Sequence, residues 1–210
     1  MKECVNRKDA GGRPVYDAVV LDAPPTGRVV NFLDVTKAMA DLARSGPIHH
    51  QAAGVVAVLH SELAAVHLVT LLEDLPVAET LETVDELVAA GLRPGAVIVN
   101  RVRPQWLPDR SVAAAANGRV DAGRIRSGLA ATGLDLAPDV IDGLVAETVE
   151  HAVRVHAEGE ASGRLAAGSA LPRLELPQLV DGVDLGSLYE LAALLVDAGV
   201  AVRAVSGAAR

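Results

Sequence analysis

An acidic residue that is followed at once by a proline- and glycine-containing turn is the first candidate for chemistry. The segment YDAVVLDAPPTG carries an apolar run over residues 17–22 that ends at Asp22. Because prolines stop a strand, Asp22 is predicted at the carboxyl end of a buried strand, where open parallel sheets bind ligands. A carboxylate there can accept hydrogen bonds from the waters around Mg²⁺, and Gly27 gives a phosphate close access to the backbone. The alternative is a strand with a proline-rich turn and no chemistry.

Asn100 is the second candidate, because it directly follows a short apolar run at residues 96–99. Its side-chain amide offers one donor group and one acceptor, which match the N6 and N7 edge of adenine rather than that of guanine. For a nucleotide ligand, this residue would therefore favour ATP over GTP. The alternative for Asn100 is a turn residue that bonds to the neighbouring backbone.

Strand and helix patterns alternate through the first hundred residues, which is typical of βαβ units and a parallel sheet with helices on both faces. The predicted class is α/β. Gly91 is expected to end a helix that has Pro76 in its first turn. The predicted strands are 17–22, 66–72 and 96–99, and the predicted helices are 34–43, 47–64 and 76–91.

The residue composition of the chain changes after this α/β core. Residues 103–168 are rich in alanine and in glycine and proline breaks, and they predict an inserted helical subdomain. Residues 169–210 predict a return to the core, with a strand near 173–176 and a last helix that begins with a capping box of Ser187 and Glu190. The predicted domains are therefore 1–102, 103–168 and 169–210.

Composition excludes several functional classes. The chain has 210 residues, half of them apolar, a net charge of −8, one cysteine and four aromatic residues. The negative charge argues against nucleic-acid binding, and one cysteine excludes an intrachain disulfide and a thiolate-rich metal site. The histidine spacing also does not predict a metal site. No apolar run long enough for a transmembrane segment and no secretory leader is evident, so we expect a cytoplasmic protein.

Four separated segments together resemble the anion-transporting ATPase family, of the deviant-Walker P-loop class, which includes the arsenite-efflux ATPase and the tail-anchored-protein targeting ATPase. The resemblance covers nearly the whole chain, and NFLDVTKAMADLARSGPI and GVDLGSLYELA are similar to its actinobacterial branch. The four segments are DAPPTG at 22–27, the strand at 66–72 with Pro76 and Glu79-Thr80, VIVN at 97–100, and Leu176-Pro177.

The resemblance implies a role for each of these positions. DAPPTG corresponds to switch II, in which Asp22 holds Mg²⁺ through water while Thr26 and Gly27 sense the γ-phosphate of ATP. Asn100 reads adenine and Pro177 packs beside the base, although Pro177 is also explained as a strand terminator. The implied partner is a second ATPase subunit, identical or paralogous, in a homodimer or heterodimer. A peripheral association with a membrane partner is left open.

The chain departs from the family at one important point, because no glycine-rich phosphate loop is found in these residues. Gly11-Gly12 precedes the first predicted strand and lacks a following lysine and hydroxyl residue. In the family this loop would precede Met1, so the chain resembles a P-loop NTPase fold that is incomplete at its N-terminus and inactive alone. Truncation of the sequence, internal initiation of translation and genuine loss of the loop are all compatible with the absence of a phosphate loop from these residues.

Three hypotheses follow from the sequence. The first is an ATP-binding ATPase subunit of the anion-transporting family. The second is a non-catalytic partner subunit that regulates or completes an intact paralogue. The third is a relative of the ParA/MinD partitioning ATPases, which have a similar Asp-x-Pro-Pro turn. One cysteine and two methionines support neither an arsenite site nor a groove for transmembrane helices.

Overall fold

The computed structural model describes residues 2–25, 28, 47–180 and 182–199. These residues contain a three-stranded parallel sheet flanked by helices, so the predicted α/β class is confirmed. The strands are β1 (Val66–Thr70), β2 (Pro94–Val102) and β3 (Arg173–Pro177). The helices are α1 (Lys2–Asn6), α2 (Pro47–Leu59), α3 (Asp74–Ala89), α4 (Asp109–Ala116), α5 (Ala122–Ala131), α6 (Pro138–Gly168) and α7 (Leu185–Asp197).

Strand β2 lies between β1 and β3, and its apolar residues explain this position. Val97 and Val99 are buried, and each pairs with a residue on both neighbouring strands. Parallel neighbours need a crossover connection, which α3 supplies between β1 and β2 and which α4, α5 and α6 supply between β2 and β3. The carboxyl ends of all three strands therefore meet at one edge of the sheet.

Helix α3 packs one side against the sheet and has the predicted end at Gly91. Val77 and Leu87 are buried against the sheet residues of two apolar clusters. Gly91 follows the helix with a φ of 72°, a left-handed conformation that costs other residues about 1–2 kcal/mol. The N–H of Leu92 then donates to the carbonyl of Leu87 over 2.9 Å, which completes a Schellman-type cap.

Helix α6 has 31 residues and packs on two different parts of the molecule. Near its middle, Ala152 packs against Val112 and Ala115 of α4. Near its end, Ala161 and Leu165 belong to the apolar cluster under the sheet. The last turns of the predicted helical insertion therefore contribute to the core, whereas the division into three domains stays a prediction.

The predicted strand at residues 17–22 is not formed. This segment pairs with no described strand, and its side chains are exposed, Val20 to 91%. The reason is physical, because a strand is stable only when its main-chain groups have hydrogen-bonded neighbours. The predicted helix at 34–43 lies outside the described residues.

Two helix boundaries differ from the prediction. Helix α2 ends at Leu59 rather than near residue 64, and a turn follows it. The last helix has its N-cap at Asp184, so the predicted capping box of Ser187 with Glu190 is wrong. Asp184 accepts from the Ser187 N–H over 2.7 Å, and Ser187 Oγ accepts from the Asp184 N–H over 2.8 Å. Asp184 is the N-cap because its extended backbone directs the carboxylate at the free N–H groups of the first turn.

None of the described helices combines the length and the apolar character that a bilayer crossing requires.

Candidate functional site

A small cavity lies where β1 ends, at the carboxyl edge of the sheet, beside the first turns of α3. Its volume is about 150 Å³, less than the roughly 300–1,000 Å³ of pockets that enclose a drug-sized ligand. It can therefore enclose one ring of a larger ligand, whose remainder would lie outside it. The lining residues are Val69, Thr70, Leu71, Pro76, Glu79, Thr80 and Asn100.

Two threonine hydroxyls form buried parts of the cavity wall. Thr80 Oγ1 donates to the carbonyl of Pro76 over 2.7 Å, and Thr70 Oγ1 donates to the carbonyl of Leu71 over 3.3 Å. Each hydroxyl proton is therefore engaged, but each oxygen still has lone pairs that can accept from a ligand. Glu79 is exposed, and its carboxylate has no ion-pair partner among the described residues.

Asn100 is half-buried in this cavity, and its amide is partly engaged. Its Oδ1 accepts a hydrogen bond from the main-chain N–H of Arg101 over 2.9 Å. Within the part of the chain that the structure describes, its Nδ2 has no hydrogen-bond partner. The local backbone bond expected of a turn residue is thus present, yet the amide keeps two donors and one acceptor lone pair for a ligand.

A β-bulge lies directly beside this amide. Val99 pairs with Glu175 and Val102 pairs with Pro177, so β2 has one more residue than β3 over this interval. Arg101 has a φ of 58° and is the one non-glycine residue with positive φ in the described ranges. The prediction that the strand ends at Asn100 is therefore wrong, because pairing resumes at Val102 after the bulge.

Sequence reasoning missed the bulge, and the sequence carries only a weak signal for it. Arginine is not a residue that favours the left-handed region, which asparagine, aspartate and glycine enter more readily. The apolar Val102, which follows two polar residues, is the one hint that the strand continues. Its carbonyl accepts from the N–H of Gln178 over 2.9 Å.

The loop that leaves β2 is fastened to α6 at two points. The carboxylate of Glu158 accepts from both the main chain and the side chain of Arg103. Farther along the loop, the Trp106 ring stacks on His151 with 4.9 Å between ring centroids and 16° between planes. The cavity end of β2 is therefore held by a helix as well as by the sheet.

The remaining predicted site residues do not line this cavity. Pro177 is exposed at the end of β3 beside Val102. Asp22 is also exposed, and the structure does not bring it into a common pocket with Asn100. Thr26 and Gly27 lie outside the described residues, so the switch stays a prediction.

The described residues fit a base better than they fit a bare metal ion. A half-buried amide beside the apolar surfaces of Val69 and Pro76 suits a flat ring that has hydrogen-bonding groups at its edge. In residues 2–25, 28, 47–180 and 182–199, no group of three or more His, Cys, Asp or Glu side chains could hold a metal. Asp22 alone is compatible with Mg²⁺ that is bound mainly by phosphates and water.

Comparison with known proteins identifies similar proteins in mycobacteria that are longer than this chain. No family model matches the chain. The chain is 54% identical over 200 residues to "ATPase BagA" of Mycobacterium tuberculosis and to "Putative ATPase Mb3704" of Mycobacterium bovis. The match covers 95% of this chain and 58% of each relative, so the chain spans less than two thirds of their length. It is a homologue of proteins that are named ATPases.

Proposed function

We propose that this chain forms the base-binding part of the ATP site of an ATPase of the anion-transporting family. The observation that carries the proposal is the half-buried Asn100 amide in a cavity at the carboxyl edge of a parallel sheet. Ligands of such sheets bind at this edge. The names of the mycobacterial relatives support an ATPase.

Each part of the site has a separate task in this proposal. The Asn100 amide bonds the edge of adenine, and the apolar side chains of Val69 and Pro76 pack against the ring. Mg²⁺, when bound, would neutralise charge on the phosphates, and Asp22 would hold it through water. Thr26 and Gly27 form the switch that responds to the terminal phosphate, and Pro177 packs beside the base.

Turnover in this proposal needs a phosphate loop, which these 210 residues do not contain. The chain by itself is expected to bind the base and not to hydrolyse ATP. A cytoplasmic location and a homodimer or heterodimer with a paralogous ATPase subunit belong to the same proposal. A non-catalytic partner subunit is the alternative, and it differs in needing an intact paralogue to supply the loop.

Isotope-labelled chain titrated with ATP tests base binding directly. We expect the NMR signals of Thr70, Thr80 and the Asn100 side chain to shift together, because all three groups line the cavity. The control region is α5, which lies away from it. An absence of shifts at millimolar ATP, or shifts centred on α5, would overturn the base-binding assignment.

A second experiment separates the two subunit hypotheses. The chain is joined to a phosphate loop in one sample and mixed with an intact paralogue in another. Turnover in the first sample supports an ATPase subunit. No turnover in the first sample, with turnover in the mixture that differs from that of the paralogue alone, supports the non-catalytic partner.

A further inference from the structure

We infer that the main-chain N–H of Arg101 locks the Asn100 amide in the orientation that selects adenine over guanine. This inference rests on the proposed function, because it concerns the same base-binding cavity. It adds a specificity-determining group that belongs to the backbone.

A contact that orients the amide is needed, because a freely rotating asparagine amide can present either its oxygen or its nitrogen to the base. Rotation of the Asn100 amide by half a turn exchanges its oxygen and its nitrogen at nearly the same positions. With its oxygen facing position 6 of the purine, the amide accepts from N6 of adenine and donates to N7. With the nitrogen on that side it can donate to O6 of guanine instead.

The bond from Arg101 removes this ambiguity. A main-chain N–H can only donate, so the group that faces it over 2.9 Å must be Oδ1 and not Nδ2. The remaining lone pair of Oδ1 then accepts from N6 of adenine. Guanine has two acceptors on that edge, so its O6 would meet the Asn100 oxygen and neither could donate.

The backbone path through the bulge, of which the left-handed Arg101 is part, keeps this N–H in place. Its φ of 58° lies within the bulge, and paired residues hold the strand on both sides of it. The Arg101 side chain is exposed and does not line the cavity. The geometry therefore assigns the selection to the main chain and not to the guanidinium group.

Three substitutions at Arg101 separate the main chain from the side chain. Glycine enters the left-handed region freely, alanine enters it at a cost, and β-branched valine strongly disfavours it. We expect Arg101→Gly and Arg101→Ala both to keep the preference for AMP over GMP, because arginine in the wild type already meets the cost that alanine meets in the left-handed region. Arg101→Val should lose about tenfold of the preference, which equals about 1.4 kcal/mol or one hydrogen bond.

AMP and GMP are suitable probes because they differ only in the base. Their dissociation constants are measured on the whole chain by titration. The matched control is Arg119→Val, which makes the same change at an exposed residue away from the cavity. If Arg101→Val is unfolded, the other two variants decide: a preference kept in both Arg101→Gly and Arg101→Ala supports the main-chain role, and a preference lost in both overturns it.

A second readout needs no nucleotide. The chain has four asparagines, Asn6, Asn31, Asn100 and Asn117, so the Asn100 side-chain amide can be assigned by its loss in Asn100→Asp. Its ¹⁵N–¹H heteronuclear NOE should be high in wild type and in Arg101→Gly, and low in Arg101→Val. If the Asn100 amide of the wild-type chain is as mobile as that of the exposed Asn6, the inference that Arg101 orients it is overturned.

The failures of the two proposals are distinguishable. Wild-type chain that binds neither nucleotide contradicts the proposed function, and the selective role of Arg101 fails with it. Wild-type chain that prefers AMP, with the same preference in Arg101→Val, contradicts the lock alone. Loss of the preference in Arg101→Gly as well would assign it to the arginine side chain and would also overturn the inference.

Discussion

The main-chain N–H of Arg103 donates to Oε2 of Glu158 over 3.2 Å, while the guanidinium group of Arg103 pairs with the other oxygen of that carboxylate. The pair is largely covered, with 32% of the Arg103 side chain and 12% of the Glu158 side chain exposed. It ties the loop that follows the Asn100 bulge to the middle of α6. The long helix thereby supports the candidate site although none of its residues lines the cavity.

Removal of this carboxylate should destabilise the protein measurably. We expect Glu158→Ala to lower the free energy of unfolding by about 1–2 kcal/mol, because it leaves a main-chain N–H and a partly covered cation without their acceptor. Glu150→Ala is the matched control on the same helix, since it breaks an exposed pair with Arg154. That change should cost less than about 0.5 kcal/mol. Denaturant unfolding of both variants is the measurement, and equal losses would contradict the supporting role.

The packing of α6 on the sheet gives a second prediction. Leu165→Ala should lower the free energy of unfolding by about 2–5 kcal/mol, because a side chain that is 2% exposed leaves a cavity against Val97 and Val99. Val153→Ala on the exposed side of the same helix should cost less than about 1 kcal/mol. Similar unfolding midpoints for the two variants would show that the end of α6 is dispensable for the core.

Substitution of Asn100 tests base recognition. Asn100→Ala should weaken ATP about tenfold and reduce its preference over GTP, because both amide contacts to the base are lost. Asn117→Ala is a suitable control, since that amide bonds Ala113 at the end of α4, outside the cavity. Titration with ATP and GTP measures both effects. An unchanged preference would leave Asn100 with its local backbone role alone.

Asp22 is expected to act on the metal and water and not on the base. In a protein that joins these residues to a phosphate loop, Asp22→Asn should abolish ATP turnover and largely spare nucleotide affinity. Phosphate release and nucleotide titration measure the two quantities on the same sample. Asp17→Asn, which neutralises a nearby carboxylate, is the control. Normal turnover in Asp22→Asn would refute the switch assignment.

The cap of α7 predicts a pH dependence. The hydrogen bond that the Ser187 N–H donates to the carboxylate of Asp184 is the largest cause that lowers the pKa of this residue below the ordinary 3.8. The folded value is therefore lower than the unfolded one, so the cap stabilises the helix fully above the unfolded pKa and is lost as pH falls through the folded pKa. The Ser187 amide proton shift followed against pH should give a midpoint below 3.8.

A variant serves as the control for that titration. Asn is also a good N-cap, so Asp184→Asn should keep the helix while it removes the acid transition at Ser187. A wild-type midpoint at or above 3.8 would contradict the cap geometry. A transition that persists in Asp184→Asn would assign it to another group.

The sequence could predict the elements whose signals are local. β1, α3 and β3 were predicted close to their observed places, because apolar periodicity and turn residues such as Gly91 act within a few positions. Residues 17–22 had an equally apolar pattern but formed no strand. A strand also needs a neighbour, and a pattern within one segment carries no information about that neighbour.

The sequence by itself determined the α/β class and the place of Asn100 after an apolar run, because both follow from the order of residues along the chain. Only the tertiary structure decided that β2 continues to Val102, that Arg101 is left-handed and that the Asn100 oxygen faces the Arg101 N–H. These features depend on pairing with β3, which lies far later in the chain. Main-chain groups must find partners across the sheet, and that requirement overrides the weak conformational preference of a single arginine.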